Sequence, residues 1–157
     1  MATLPEQIRS NSVALISLSV ALIALSYNTW RNETTESQRN IRQASFRVLA
    51  SLGELQEVAD YRYYYFPFED SHGREGELRL RGYGSVTMVR DLMNLMPAPA
   101  PAASDNLFQL WNEHMNALAE LDEGGQHSAA AKTAEKELTI AIKQARGAVV
   151  GVLRTLD

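Results

Sequence analysis

Cysteine is absent from this chain, which excludes disulfides, thiol catalysis, iron–sulfur clusters and zinc–thiolate sites. The absence says nothing of compartment, because oxidising and reducing spaces both tolerate cysteine-free proteins. Proline and glycine are scarce and clustered, five and nine in 157 residues, so the chain is not of low complexity. Positive charge is not in excess either. The formal net charge of -4 carries no nucleic-acid footprint, and no nucleic-acid partner is expected. G-x-S-x-G, H-E-x-x-H, P-loop and dinucleotide-binding patterns are all missing, so the residues point to a non-enzymatic chain with no cofactor and no metal.

What is present begins with a long uncharged run. Between Arg9 and Arg31 lie 21 residues without a charge, and Val13 to Leu25 are apolar except for Ser17 and Ser19. A helix rising ~1.5 Å per residue needs roughly 20 such residues to cross the hydrocarbon core. Tyr27 and Trp30 stand at one end, where amphipathic rings favour the headgroup region. The reading is a transmembrane helix over 10–30, after a short tail over 1–9. Two other readings compete: a buried core helix, and a cleavable signal peptide. In the second, Arg9 is the charged region, Val13 to Ile23 the apolar region and Ala24-Leu25-Ser26 the small-x-small site. Against cleavage, the helical pattern continues past Ser26 without a breaker.

Within the span, Ser10, Ala14, Ser17, Ala21 and Ala24 alternate in fours and threes and form a stripe of small residues along one face. Small residues let membrane helices approach closely, since packing rather than hydrophobicity drives association in lipid. The stripe suggests self-association, or docking on another protein's membrane helix. Orientation is weakly determined. Arg31, Arg39, Arg42 and Arg47 follow the span and favour a cytoplasmic C-terminal side. The short N-terminal tail favours the opposite, and the reading leans to a periplasmic domain on the inner (cytoplasmic) membrane.

Residues 31–40 are wholly polar without Gly or Pro, and read as a helical stalk. From Ile41 an apolar stripe with helical spacing appears: Ile41, Val48, Leu52, Leu55 and Ala59, with Phe46 and Leu49 beside it. A second helix is predicted from Glu77 to Met96 on the stripe Val86, Val89, Leu92, Met93 and Met96, its first turns weakened by Gly82 and Gly84. The connector Pro97 to Pro101 is predicted to be extended and non-helical. Ser104 then reads as the N-cap of a third helix with Asp105 in its first turn. That helix carries Leu107, Trp111, His114, Leu118 and Leu121 up to Gly124-Gly125. Ser128 caps a fourth helix with the face Leu138, Ile142, Ala145, Val149, Val152 and Leu156. The fold class is therefore all-α, an N-terminal transmembrane helix continuing into an up-down-up-down four-helix bundle over 41–157.

Four of the six tyrosines and two of the four phenylalanines fall between Tyr61 and Phe68. Tyr61, Tyr63, Tyr64, Tyr65, Phe66 and Phe68 are read either as a binding patch for a partner or ligand, or as rings that plug the distal end of the bundle. The stretch could alternatively be a short extended piece, ending at Pro67 and a polar loop. At ~1.5 Å per residue its end lies roughly 50 Å along a helix from Trp30, too far for a membrane belt. In the loop, Glu69, Asp70, His72 and Glu75 are oxygen and imidazole groups close together, but their spacing matches no established metal loop. His114 would need an orienting carboxylate and a second reactive group to act, and Glu113 points away from it at helical spacing. Lys132, Glu135, Lys136 and Lys143 read as a solvated face.

The stretch Leu-Ser-Val-Ala-Leu-Ile-Ala-Leu-Ser-Tyr-Asn-Thr-Trp-Arg-Asn-Glu at 18–33, followed by Asn40-Ile41-Arg42-Gln43-Ala44, resembles a group of small uncharacterised single-span bacterial proteins. The resemblance covers the first third of the chain and implies no activity. The architecture also resembles the four-helix-bundle sensor region of chemoreceptors, without a second span or a signalling domain after Asp157. The preferred function is an interaction or accessory subunit anchored in membrane lipid, partnered by a second copy or by another membrane protein. The alternative is a ligand-binding, sensor-like module with a polar-lined pocket between helices.

Overall fold

The computed structural model describes residues 11–68 and 74–156. The chain is 84% helical, with four helices and no strand among the described residues. Helix α1 runs Ser12–Tyr64, 53 residues. A 3-10 turn follows at Phe66–Phe68. Helix α2 is Glu75–Met93, α3 is Ala100–His114 and α4 is Ala129–Arg154, with a second 3-10 turn at Ala117–Ala119. The chain divides into two compact units, Met1–Asn40 and Ile41–Asp157.

In the first unit, α1 is solvent-facing on every side from Ser12 to Ser37. No proline or glycine interrupts this stretch, and hydroxyls within it bond back to carbonyls one turn earlier: Ser19 to Leu15, Thr34 to Trp30 and Thr35 to Arg31, each at 2.9 Å. Such bonds satisfy a hydroxyl inside its own helix. The apolar stretch is long and apolar enough to cross a membrane, and none of its window is buried within the protein.

In the second unit, all four helices contribute to one core. Val48, Leu52, Leu55 and Val58 of α1 meet Val86, Val89 and Met93 of α2, Leu107 and Trp111 of α3, and Leu138, Ile142 and Val149 of α4. Descending α1 numbers meet ascending α2 numbers. Tyr61 accepts from Arg74, Glu57 pairs with Arg81, Glu54 accepts from Ser85, and Ser51 and Ser45 donate to the sulfurs of Met88 and Met96. At the α1–α4 face, Gln56 bonds Thr139, and Arg42 donates to the Leu156 carbonyl at 2.8 Å. On α4 the buried positions include Ala131, Ala134, Ala141 and Ala145, whose short side chains let neighbouring helices pack close.

Several local expectations change. Phe46 does not join the core stripe and is 65% exposed, because it lies on the face of α1 opposite Val48 and Leu52. The second helix ends at Met93 rather than Met96, although Met96 remains buried. Ser104 is not the N-cap of α3. Helix α3 starts earlier, at Ala100, so the end of the proline connector is helical. Proline is tolerated there because a first-turn N–H has no helical acceptor to lose. Ser104 is instead buried within α3 and donates to the Pro101 carbonyl at 2.8 Å. Asp105 accepts from Arg90 of α2 at 2.8 Å.

The third helix also stops short of Gly124, at His114. Leu118 lies in the 3-10 turn, and Leu121 lies beyond it. The connection to α4 is built on Asp122, whose Oδ1 accepts from the N–H groups of Gly124 and Gln126. Gly125 adopts φ +72°, a left-handed conformation that only glycine takes without strain. Ser128 caps α4 as its sequence position indicates, accepting from the Ala131 N–H at 3.0 Å. Ser128→Ala is therefore expected to destabilise the domain by about 1 kcal/mol in chemical denaturation, whereas Ser128→Asp leaves it nearly unchanged.

Candidate functional site

The aromatic stretch is not extended. Tyr61 to Tyr64 form the last turn of α1, Tyr65 is a turn residue and Phe66–Phe68 is a 3-10 turn. The six rings divide into two sets. Tyr61, Tyr63 and Phe66 are half-buried, while Tyr64, Tyr65 and Phe68 are 54%, 58% and 59% exposed. Helical spacing causes the split. The core stripe continues from Leu55 and Ala59 to Arg62, so residues on the far side of that turn face solvent.

Tyr63 is held by packing. Its ring stacks on His127 at 3.9 Å between centroids and 11° between planes, and Phe68 meets the same imidazole edge-on at 5.5 Å. The Asp122–Gly125 turn places His127 there, closing back so that Leu121 and His127 form an isolated antiparallel bridge. Tyr61 stacks on Tyr65 at 5.7 Å, and its ring lies under the Arg74 guanidinium at 5.1 Å. Tyr61 and Tyr63 therefore fix the end of α1, while Tyr64, Tyr65 and Phe68 turn outward.

Arg62 is only 2% exposed. Its Nε donates to the Met115 carbonyl at 3.1 Å, just past the C-terminus of α3, and its guanidinium lies 5.3 Å from the Phe66 ring centroid. One terminal nitrogen, Nη1, is buried with no hydrogen-bond partner among the described residues. Burial pulls the Arg62 pKa below the ordinary arginine value, with Glu75 opposing and Arg79 adding to the shift. The carbonyl end of α3 is the negative end of its dipole, which favours a cation there. A charged residue at the next position of an apolar stripe is the sequence signal that marks Arg62.

His114 does have a carboxylate, and it comes from a different helix rather than from a sequence neighbour. Glu137 of α4 lies 2.7 Å from its Nε2. Among the described residues, no group of three or more His, Asp or Glu side chains is disposed to hold a metal ion. Glu69, Asp70 and His72 lie outside the described residues; Glu75 is exposed in the first turn of α2.

In the apolar part of α1, Ala14, Ser17, Ala21 and Ala24 are all exposed, and Ser10 lies outside the described residues. Tyr27 and Trp30 contact each other with centroids 6.2 Å apart. A search of protein-family models, of curated proteins and of solved structures finds no match to this chain.

Proposed function

We propose that this chain is a single-pass protein of the bacterial inner membrane, and that its helical domain acts as an interaction or accessory subunit of a membrane-associated complex. The exposed apolar segment of α1 supports the anchor. Large side chains such as Val13, Ile16 and Ile23, each 64% exposed or more, are left uncovered by the described residues. Water does not tolerate so continuous a patch, whereas lipid does. In this reading residues 41–157 are an up-down-up-down four-helix bundle, in keeping with the opposed numbering of α1 against α2 and of α1 against α4. The small-residue face of the span provides for a second copy or a partner's membrane helix, and the domain is assigned to the periplasmic side.

The observation that carries the interaction role is the outward set Tyr64, Tyr65 and Phe68. Exposed aromatic clusters mark interaction sites, and rings lose little conformational freedom on binding. The test is affinity purification from native membranes after mild cross-linking. Wild-type protein is expected to bring down a larger membrane complex. A variant with Tyr64, Tyr65 and Phe68 all changed to Ser should lose that complex while keeping its helicity; its thermal midpoint should fall only by the loss of ring contacts with Tyr61, Tyr63 and His127, because none of the three rings belongs to the buried core. Retention of the complex by the variant, or a clean absence of partners with wild type, would overturn the reading. A reporter fused after Asp157 tests the side of the membrane.

A further inference from the structure

A groove of about 350 Å³ runs between α1 and α4, and its charges are separated along its length. At one end stand Asp60 of α1 and Glu135 of α4. At the other stand Lys143 and Arg146 of α4, with Ile142 as a buried floor between the two ends. The carboxylates are positioned by neutral groups. Gln56 Nε2 donates to Asp60 at 2.7 Å and to the Thr139 hydroxyl at 3.4 Å, and that hydroxyl lies 3.3 Å from Glu135.

Neither cation reaches those acids. Helical neighbours three or four places from Lys143 and Arg146 include no Asp or Glu. Among the described residues neither cation has a hydrogen-bond or ion-pair partner. Paired carboxylates suit an ammonium group. Lysine and arginine at the other end suit a carboxylate.

We infer that this groove binds a short extended peptide with free termini, its ammonium group at Asp60 and Glu135 and its carboxylate at Lys143 and Arg146. The length follows from the helix. Glu135 and Lys143 are separated by about 12 Å at ~1.5 Å per residue, which an extended chain at ~3.5 Å per residue spans with three or four residues. A free amino acid is too short to reach both ends. The inference does not depend on what the aromatic surface docks.

The probe is trialanine, titrated calorimetrically into the full-length chain in lipid nanodiscs. Saturable binding is expected, weakened about tenfold or more by N-acetylation and likewise by C-amidation, the loss of one charge-assisted contact at each end. The double variant Asp60→Asn, Glu135→Gln should bind trialanine as weakly as the wild type binds the acetylated peptide. It should still respond to amidation. Lys143→Gln with Arg146→Gln should show the reverse pattern. No saturable binding in the millimolar range, or equal binding of free and blocked peptides, overturns the inference. The blocked peptides are read on the unaltered protein, so that comparison decides even where a variant fails to fold.

Discussion

Replacing Gly82 by alanine is expected to lower the thermal midpoint of the chain, while the same change at Gly84 raises it. Both glycines lie within α2, where alanine is the better helix former by roughly 0.5–1 kcal/mol. Their surroundings differ. A Cβ on Gly82 would overlap Cζ2 of Trp111 and lie 3.2 and 3.3 Å from two further atoms of that indole. Trp111 is wholly buried and belongs to the central cluster, so the ring has nowhere to retreat. Overpacking of this kind costs about 1–3 kcal/mol, more than the gain in helix propensity. At Gly84 an added Cβ meets nothing within 4 Å, and the propensity gain stands alone.

With each kcal/mol worth roughly 4 °C, the two variants should fall on opposite sides of wild type by several degrees. Trp111→Ala is the larger change, at about 3–5 kcal/mol. The pair provides an internal check. Once the indole is gone, Gly82→Ala loses its penalty, so the double variant should be more stable than Trp111→Ala alone. Midpoints from circular dichroism of the four variants beside wild type decide the matter. A destabilised Gly84→Ala, or additive effects at 82 and 111, would contradict the packing described.

Leu18→Arg combined with Leu22→Arg is expected to remove the chain from the membrane fraction. Both side chains lie in the middle of the apolar segment, 58% and 56% exposed, with no group among the described residues to shelter a guanidinium. An arginine at the centre of a membrane helix opposes insertion by about 2.5–3.5 kcal/mol, so the pair amounts to roughly 5–7 kcal/mol. Alkaline carbonate extraction should leave wild type in the pellet and move the double variant to the supernatant. The same two arginines placed at Thr34 and Gln38, in the polar stretch, should leave the protein in the pellet. The intact mass of the membrane-bound chain tests the other fate of this segment, since cleavage after Ser26 would shorten it by the whole apolar run. Wild type released by carbonate, or a mass lacking that run, would defeat the anchor.

The long apolar stretch, the all-α class and the cap at Ser128 are legible in the sequence because each rests on residues within a few positions of one another. Helical period places Val48, Leu52 and Leu55 on one face without reference to any other helix, and the same period displays Tyr64 opposite Arg62. Sequence and structure part where a second element decides. Pro101 reads as a barrier to helix, yet at a first turn it costs no hydrogen bond. Phe46 reads as a neighbour of the core stripe, yet apolar character alone does not reveal which face a helix turns inward.

What only the tertiary structure decided are meetings between residues distant along the chain: His114 with Glu137, Gly82 with Trp111, Arg62 with the Met115 carbonyl, and Asp60 with Glu135 across one groove. Local spacing records how a side chain is placed on its own helix. It carries no record of which helix lies opposite or at what height, because the packing of the whole core sets those. The sequence therefore determined a helical chain with one segment apolar enough for lipid, and the packing determined which charges and rings face one another.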